Sequence, residues 1–198
     1  MLTPRSTSQP VYPPLDWDAT GTQHILFAAA EDAALAQRLF EQPPRGALTV
    51  ICLRDEEATG SSVWQRDLPS GSIRRMTRRL DSALQRLADS LAAAPMGARL
   101  YLVGSEDLIW QASQVADRYG MGVEAVRRQR TATLARPVFC VHCRSVTRRV
   151  STNVVDCEGC GRALFVRDHF SRRLGAYMGF QVDAEAPGQR PAVQEVYP

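Results

Sequence analysis

Residues 99–119 read RLYLVGSEDLIWQASQVADRY. Arg99 to Val103 is a short apolar run rich in strand-forming residues, and Gly104-Ser105 ends it. Ser105 is placed to cap a helix from Glu106 to Tyr119. Glu106 and Asp107 put carboxylates in its first turn, where the helix dipole favours them. Gly120 and Gly122 terminate it. A strand, a tight turn and a helix in this order make half of an α/β unit, so the surrounding chain is expected to repeat it.

It does so on the N-terminal side. Asp81 to Ala94 carries Leu84, Leu87, Ala88 and Leu91 at helical spacing, and Pro95 stops it. Ala47 to Leu53 (ALTVICL) and His24 to Ala29 (HILFAA) read as buried strands, with Cys52 a small buried residue in the former. Between them Glu31 to Glu41 has Ala34, Leu35, Leu39 and Phe40 on one face, ending before Pro43-Pro44. Val123 to Val126 reads as a last strand. Asp55 to Gly71 is polar and loop-like, with Trp64 its one large apolar residue. Arg74 to Arg79 is basic without a clear period. The expected fold class is α/β: a parallel sheet flanked by helices on both faces.

After Arg136 the texture changes. Cys140 and Cys143 form one C-x-x-C pair, Cys157 and Cys160 a second, thirteen residues on. Two residues between thiolates let both sulfurs of a tight turn face one ion, and two such turns complete a tetrahedron. Gly159 and Gly161 supply backbone freedom, and Thr147 to Val155 can supply connecting strands. The expectation is a closed structural metal site. Zinc is the default ion, and iron of the rubredoxin kind has the same ligands. Two redox dithiols or four buried thiols are the blander alternative. His142, inside the first pair, is expected beside the site rather than in it.

Residues 168–185 read DHFSRRLGAYMGFQVDAE. Phe170, Leu174, Tyr177 and Met178 fall at helical spacing behind Asp168 or Ser171 as a cap, which predicts a short helix. Phe170, Tyr177, Met178 and Phe180, flanked by Arg172 and Arg173, are residue types enriched at interface centres, so they are candidate partner contacts. Packing back onto the metal module explains the same stripe equally well. Four segments are expected: an extended N-terminal arm over 1–22, an α/β domain over 23–135, a four-cysteine module over 136–168, and a short helix with an extended tail over 169–198.

The 198 residues carry 24 basic and 21 acidic side chains, a formal +3, and every basic residue is arginine. That balance does not suggest a nucleic-acid binder. Absence of a long apolar run and of a basic-then-apolar leader, with cysteines clustered four to one, leads to the expectation of a soluble cytoplasmic protein. No catalytic residue is expected. Asp168 and His169, a lone acid–imidazole pair with no nucleophile or substrate pocket in view, are read as structural.

Two resemblances sharpen these expectations. Residues 24–135, above all LAAAPMGARLYLVGSEDLIWQA from Leu91 to Ala112, resemble the pyridine-nucleotide half of ferredoxin-reductase-type oxidoreductases, which implies a Rossmann-like sheet. The family's glycine-rich turn is replaced here by Ala28-Ala29-Ala30-Glu31-Asp32. Alanine β-carbons obstruct a close approach, and the carboxylates repel phosphates, so the resemblance is to a domain that has lost nucleotide binding. The CVHC and CEGCG motifs together with residues 168–185 resemble the small subunit of bacterial dimethylamine monooxygenase. That resemblance implies a non-catalytic zinc-binding accessory chain with ligands Cys140, Cys143, Cys157 and Cys160. It further implies partner subunits that carry the haem, flavin and iron–sulfur cofactors and demethylate a secondary amine with NADPH and oxygen. Two other functions fit the residues: a rubredoxin-like electron-transfer protein, and a zinc-ribbon regulatory or nucleic-acid-binding protein. The combined expectation is an α/β domain followed by a small zinc-ribbon or rubredoxin-like module.

Overall fold

The structure is a computed structural model that describes residues 8–30, 33–54, 68, 70–131 and 133–198. The readings placed on Glu31, Asp32 and Trp64 therefore lie outside the described residues. The chain divides into two compact units. One comprises Tyr12–Gly104 and Gln111–Thr131. The other comprises Ser105–Trp110 and Ala132–Pro198, with the described part of Met1–Val11.

The first unit is built on strands β1 (Gln23–Ala29), β2 (Ala47–Leu53), β3 (Ile73–Thr77), β4 (Ala98–Gly104) and β5 (Val126–Arg130), in the order β3-β2-β1-β4-β5. Every pairing is parallel. This is the order of a doubly wound α/β sheet whose strand order reverses beside β1. The connecting helices are α1 (Ala33–Glu41), α2 (Leu80–Ala92) and α3 (Glu106–Arg118). Ile25, Leu26, Phe27, Ile51, Leu100 and Leu102 are fully buried. A strand covered on both faces reads as a continuous apolar run, which is why these segments lack alternation.

Two boundaries differ from expectation. The stretch around Arg74 to Arg79 contains the edge strand β3. Its arginines hide the strand signal, because an edge strand can keep charged heads in water while it pairs on one side only. The last strand starts at Val126, after a single tight turn over Val123–Ala125.

The described part of the N-terminal arm, residues 8–22, is irregular, as expected, and residues 15–18 are packed into the first unit rather than free. Leu15 is buried, and the Trp17 indole donates to the Leu39 carbonyl at 2.7 Å. Asp18 takes Arg99 at 2.8 Å and Arg127 at 3.2 Å. Hydrogen bonding from Thr20 and from Arg99 holds the Asp18 carboxyl well below the usual carboxylate range. The Tyr101 hydroxyl accepts from the Asp18 amide at 2.9 Å, so its own proton goes to His24 Nδ1 at 3.0 Å. His24 Nε2 then donates to the Arg45 carbonyl at 3.1 Å. This neutral tautomer agrees with burial, which pushes the His24 pKa down.

The second unit holds a mixed sheet of β6 (Arg136–Cys140), β7 (Val146–Val150), β8 (Val154–Asp156), β9 (Ala163–Ser171) and β10 (Ala176–Gln181), ordered β7-β6-β10-β9-β8. The helix expected over 169–180 is absent. The segment is the β9–β10 hairpin, with Phe170 opposite Tyr177 and Phe165 opposite Phe180. Residues seven apart are two helical turns apart, and they are equally a cross-strand pair around a short turn. Gly175 decides between them: its φ of 63° reverses the chain, and its amide donates to the Ser171 carbonyl at 2.8 Å. Phe170 and Tyr177 are buried, at 3% and 2% exposure, so they are core residues and not available partner contacts. Trp110, in the first turn of α3, packs on Phe170 with ring centroids 4.8 Å apart, and the Tyr177 hydroxyl donates to Glu106 at 3.2 Å. Arg136 is sandwiched between the Tyr177 and Tyr197 rings and ion-pairs with Asp168 at 3.0 Å.

Among the described residues no helix is long and apolar enough to cross a membrane.

Candidate metal centre

Strand β6 delivers Cys140 at its C-terminal end, and the chain turns back at once into β7. In that turn the Arg144 amide donates to the Cys140 carbonyl at 2.9 Å, and the Cys140 amide donates to the Ser145 carbonyl at 2.9 Å. Arg144 is in the left-handed region, φ 66°. The second turn, between β8 and β9, repeats the scheme. The Gly161 amide donates to the Cys157 carbonyl at 2.8 Å, the Cys157 amide to the Arg162 carbonyl at 2.9 Å, and Gly161 has φ 71°.

The two turns face each other and bring the four expected cysteines together. All four Sγ atoms lie within 4.8 Å of one another. Cys140 and Cys160 are 3.9 Å apart, Cys143 and Cys157 3.5 Å. Four thiolates about 2.3 Å from a tetrahedral ion stand about 3.8 Å from each other. The donor set, spacing and count therefore fit a tetrahedral thiolate-bound metal. No disulfide links them, and Cys52 is a separate buried thiol, as expected. His142 is exposed, accepts from Arg162 through Nδ1 at 3.1 Å, and is not among the clustered ligand atoms.

The four thiols are not equivalent. Burial pushes Cys140 up to about 11, whereas hydrogen bonding to the Ser145 hydroxyl, 3.4 Å away, pulls Cys143 down to about 6. Cys140 and Cys157 are buried in a small core with Val138, Val150, Leu164 and Val166, and Cys143 and Cys160 are half-buried. An ion entering the site must displace the proton from Cys140, and it finds Cys143 already close to its ionised form. The Gly159 amide points at Cys157 Sγ from 3.4 Å. A Cβ on Gly159 would clash with the Ser145 side chain and stand 3.1 Å from Cys143 Sγ, so close packing against Ser145 and Cys143, rather than a turn, requires glycine here.

The partner contacts expected along 170–180 divide. Arg172, Arg173 and Phe180 are exposed, Met178 is half-buried, and Phe170 and Tyr177 are interior. Sequence reasoning also missed the arm residues Asp18 and Trp17 as parts of the first unit. Their only sequence signal is an acid and an aromatic in a polar, proline-rich stretch.

Comparison with known proteins bears on both units. The family described as dimethylamine monooxygenase subunit DmmA-like matches through its N-terminal domain over residues 5–126 and its C-terminal domain over residues 137–180. This chain belongs to that family. The DmmA-like C-terminal domain thus contains all four cysteines. The heme-dependent oxidative N-demethylase delta subunit of Ectopseudomonas mendocina (strain ymp) is 38% identical over 103 residues, covering 52% of this chain and 59% of the relative. The chain therefore spans less than two thirds of that relative's length. Among solved structures, the H286K mutant of ferredoxin-NADP+ reductase from Plasmodium falciparum in complex with 2'P-AMP aligns at 12% identity and a TM-score of 0.41. It covers 56% of this chain and 52% of that one.

Proposed function

We propose that this DmmA-like chain is a metal-holding, non-catalytic accessory subunit of a haem-dependent amine demethylase, most simply one acting on dimethylamine. The observation that carries the reading is the closed set of four thiolates at Cys140, Cys143, Cys157 and Cys160. Four sulfurs saturate a tetrahedral ion and leave no position for substrate, so the metal's work is to hold the module together. Membership of a family described by a monooxygenase subunit supports the assembly. So does the relative named as one subunit of a heme-dependent N-demethylase.

In this reading zinc is the ion. The haem, flavin and iron–sulfur groups belong to the partner subunits, which use NADPH and oxygen. The complex works in the cytoplasm. The domain layout keeps the four-cysteine module separate from an α/β unit that does not bind nucleotide.

Purification of the complex from its native source tests this. The expected result is zinc at one per chain, no flavin or haem on this chain, and co-purification with larger redox subunits. Turnover of dimethylamine with NADPH by the isolated chain would overturn the accessory role. A red protein with one redox-active iron per chain would replace zinc by a rubredoxin-like centre.

A further inference from the structure

The β9–β10 hairpin carries side chains that neither the metal nor the core uses. Phe180 is 47% exposed, and its cross-strand neighbour Phe165 is half-buried. Arg167 lies two residues along β9 from Phe165, with its guanidinium 5.7 Å from that ring. A cleft of about 420 Å³ is lined by these three side chains together with Gln181, Val182, Ala184 and Glu185. Val141, 39% exposed, is tied to the same strand by its amide, which donates to the Gly179 carbonyl at 3.2 Å. Arg172 and Arg173 are exposed at the hairpin turn.

Some arginines of the unit are ion-paired and others are not, and among the described residues Arg144, Arg149 and Arg162 are, like those of this face, in no ion pair. Arg136 is paired with Asp168, Arg148 with Asp107 and Arg190 with Asp156. Among the described residues, Arg167, Arg172 and Arg173 are in no ion pair. The stretch from Arg136 to Glu185 holds eight arginines against five acids, Asp156, Glu158, Asp168, Asp183 and Glu185, and two of those acids, Asp156 and Asp168, are already paired.

We infer that this hairpin face docks a carboxylate-bearing protein surface: an apolar side chain of the partner enters the cleft between Phe165 and Phe180, and its acidic residues meet Arg167, Arg172 and Arg173. The inference rests on the accessory-subunit reading and gives that subunit a contact face. An exposed aromatic beside a cleft supplies the apolar centre of an interface, and unpaired arginines supply its charged rim. The cleft is near the lower end of the roughly 300–1,000 Å³ of ligand pockets, a size suited to a side chain rather than a large cofactor. A nucleic acid suits the face less well. Bases stack on open aromatic faces, whereas Arg167 already lies over Phe165 and the next exposed apolar residue, Val141, is aliphatic.

The test uses the full chain, metal-loaded, with the redox subunits that co-purify with it. Phe180→Asp and the double variant Arg167→Glu, Arg173→Glu are compared with wild type by titration, with Phe180→Ala as a milder change. Metal content and melting temperature establish that each variant is folded. The expected result is at least tenfold weaker assembly for the first two variants, a smaller loss for Phe180→Ala, and wild-type affinity that falls with added salt. Unchanged assembly of the folded variants would overturn this face as the contact and leave the accessory role standing. Failure of the wild-type chain to assemble with any redox subunit would overturn the accessory role itself. Intact assembly with variant-sensitive binding of a fluorescein-labelled oligouridylate would reassign the face to nucleic acid and overturn the inference.

Discussion

The two cysteine turns are built to one hydrogen-bond plan on different residues. In each, the first cysteine's carbonyl accepts from the amide four residues on, and its amide donates to the carbonyl five residues on. The residue four on is left-handed in both, Arg144 in one and Gly161 in the other. Only the second has the residue that this conformation favours. The first turn also contains the contrasting thiol pair, with Cys140 buried and raised and Cys143 half-buried and lowered. The backbone plan and the facing sulfurs thus define the site, and the side chains around it set strain and protonation turn by turn.

The largest break in this comparison is Cys157→Ser. Losing one of four thiolates removes an ion that supplies on the order of 10 kcal/mol to modules of this kind. On the proposed zinc reading, the expected outcome is loss of the ion and a large fall in the stability of residues 136–181, read by metal analysis and thermal melting. Normal zinc content would remove Cys157 from the site.

Alkylation of the metal-stripped protein sharpens the difference within the first turn. At pH 7 Cys143 is expected to react with iodoacetamide at least tenfold faster than Cys140, as followed by peptide mass spectrometry. The signs for stability differ too. Cys143 has a lowered folded pKa, so its contribution is present above the unfolded value and is lost as pH falls through about 6. Cys140 has a raised one, so its contribution is full below the unfolded value and is lost as pH rises through about 11. The stripped module should therefore melt highest between these limits.

Two substitutions at the left-handed positions follow, in order of size. Gly161→Val places a β-branched residue at φ 71° in open space, so its cost is conformational alone, about 1–2 kcal/mol. Arg144→Gly relieves the matching strain in the first turn and should stabilise the metal-loaded chain by about 0.5–1 kcal/mol. Both are read from thermal melts with zinc saturated. A destabilised Arg144→Gly would show that the arginine side chain contributes more than its backbone costs.

Spacing along the chain sufficed to single out the four cysteines that cluster, because two residues between cysteines is a local constraint that any C-x-x-C turn satisfies. The buried strands β1, β2 and β4 were legible as unbroken apolar runs, and α3 from its cap: the Leu108 amide does find the Ser105 hydroxyl, at 3.4 Å. The edge strand β3 was not legible, because its partner on one side replaces the apolar pattern that burial would impose. The β9–β10 hairpin was misread for a related reason. Phe170 and Tyr177 satisfy a helical period and a cross-strand register alike, and the reversal at Gly175, with Tyr177 paired to Val138 and Phe170 packed on Trp110, selects the strand. A Cβ at Gly179 would meet Val138 at 2.6 Å, so that strand also lies too close to its neighbours for any larger residue.

By itself, then, the sequence determined which four sulfurs form the candidate metal site and that a parallel α/β sheet precedes them, since both follow from periods of a few residues. The tertiary structure decided that residues 15–18 of the N-terminal arm pack into the first unit, with Asp18 between Arg99 and Arg127. It also decided that the aromatic stripe is a hairpin whose Phe170 and Tyr177 face inward while Phe180 and three arginines face out. These outcomes depend on contacts between residues tens of positions apart, and their free energies arise only when the chain has closed on itself.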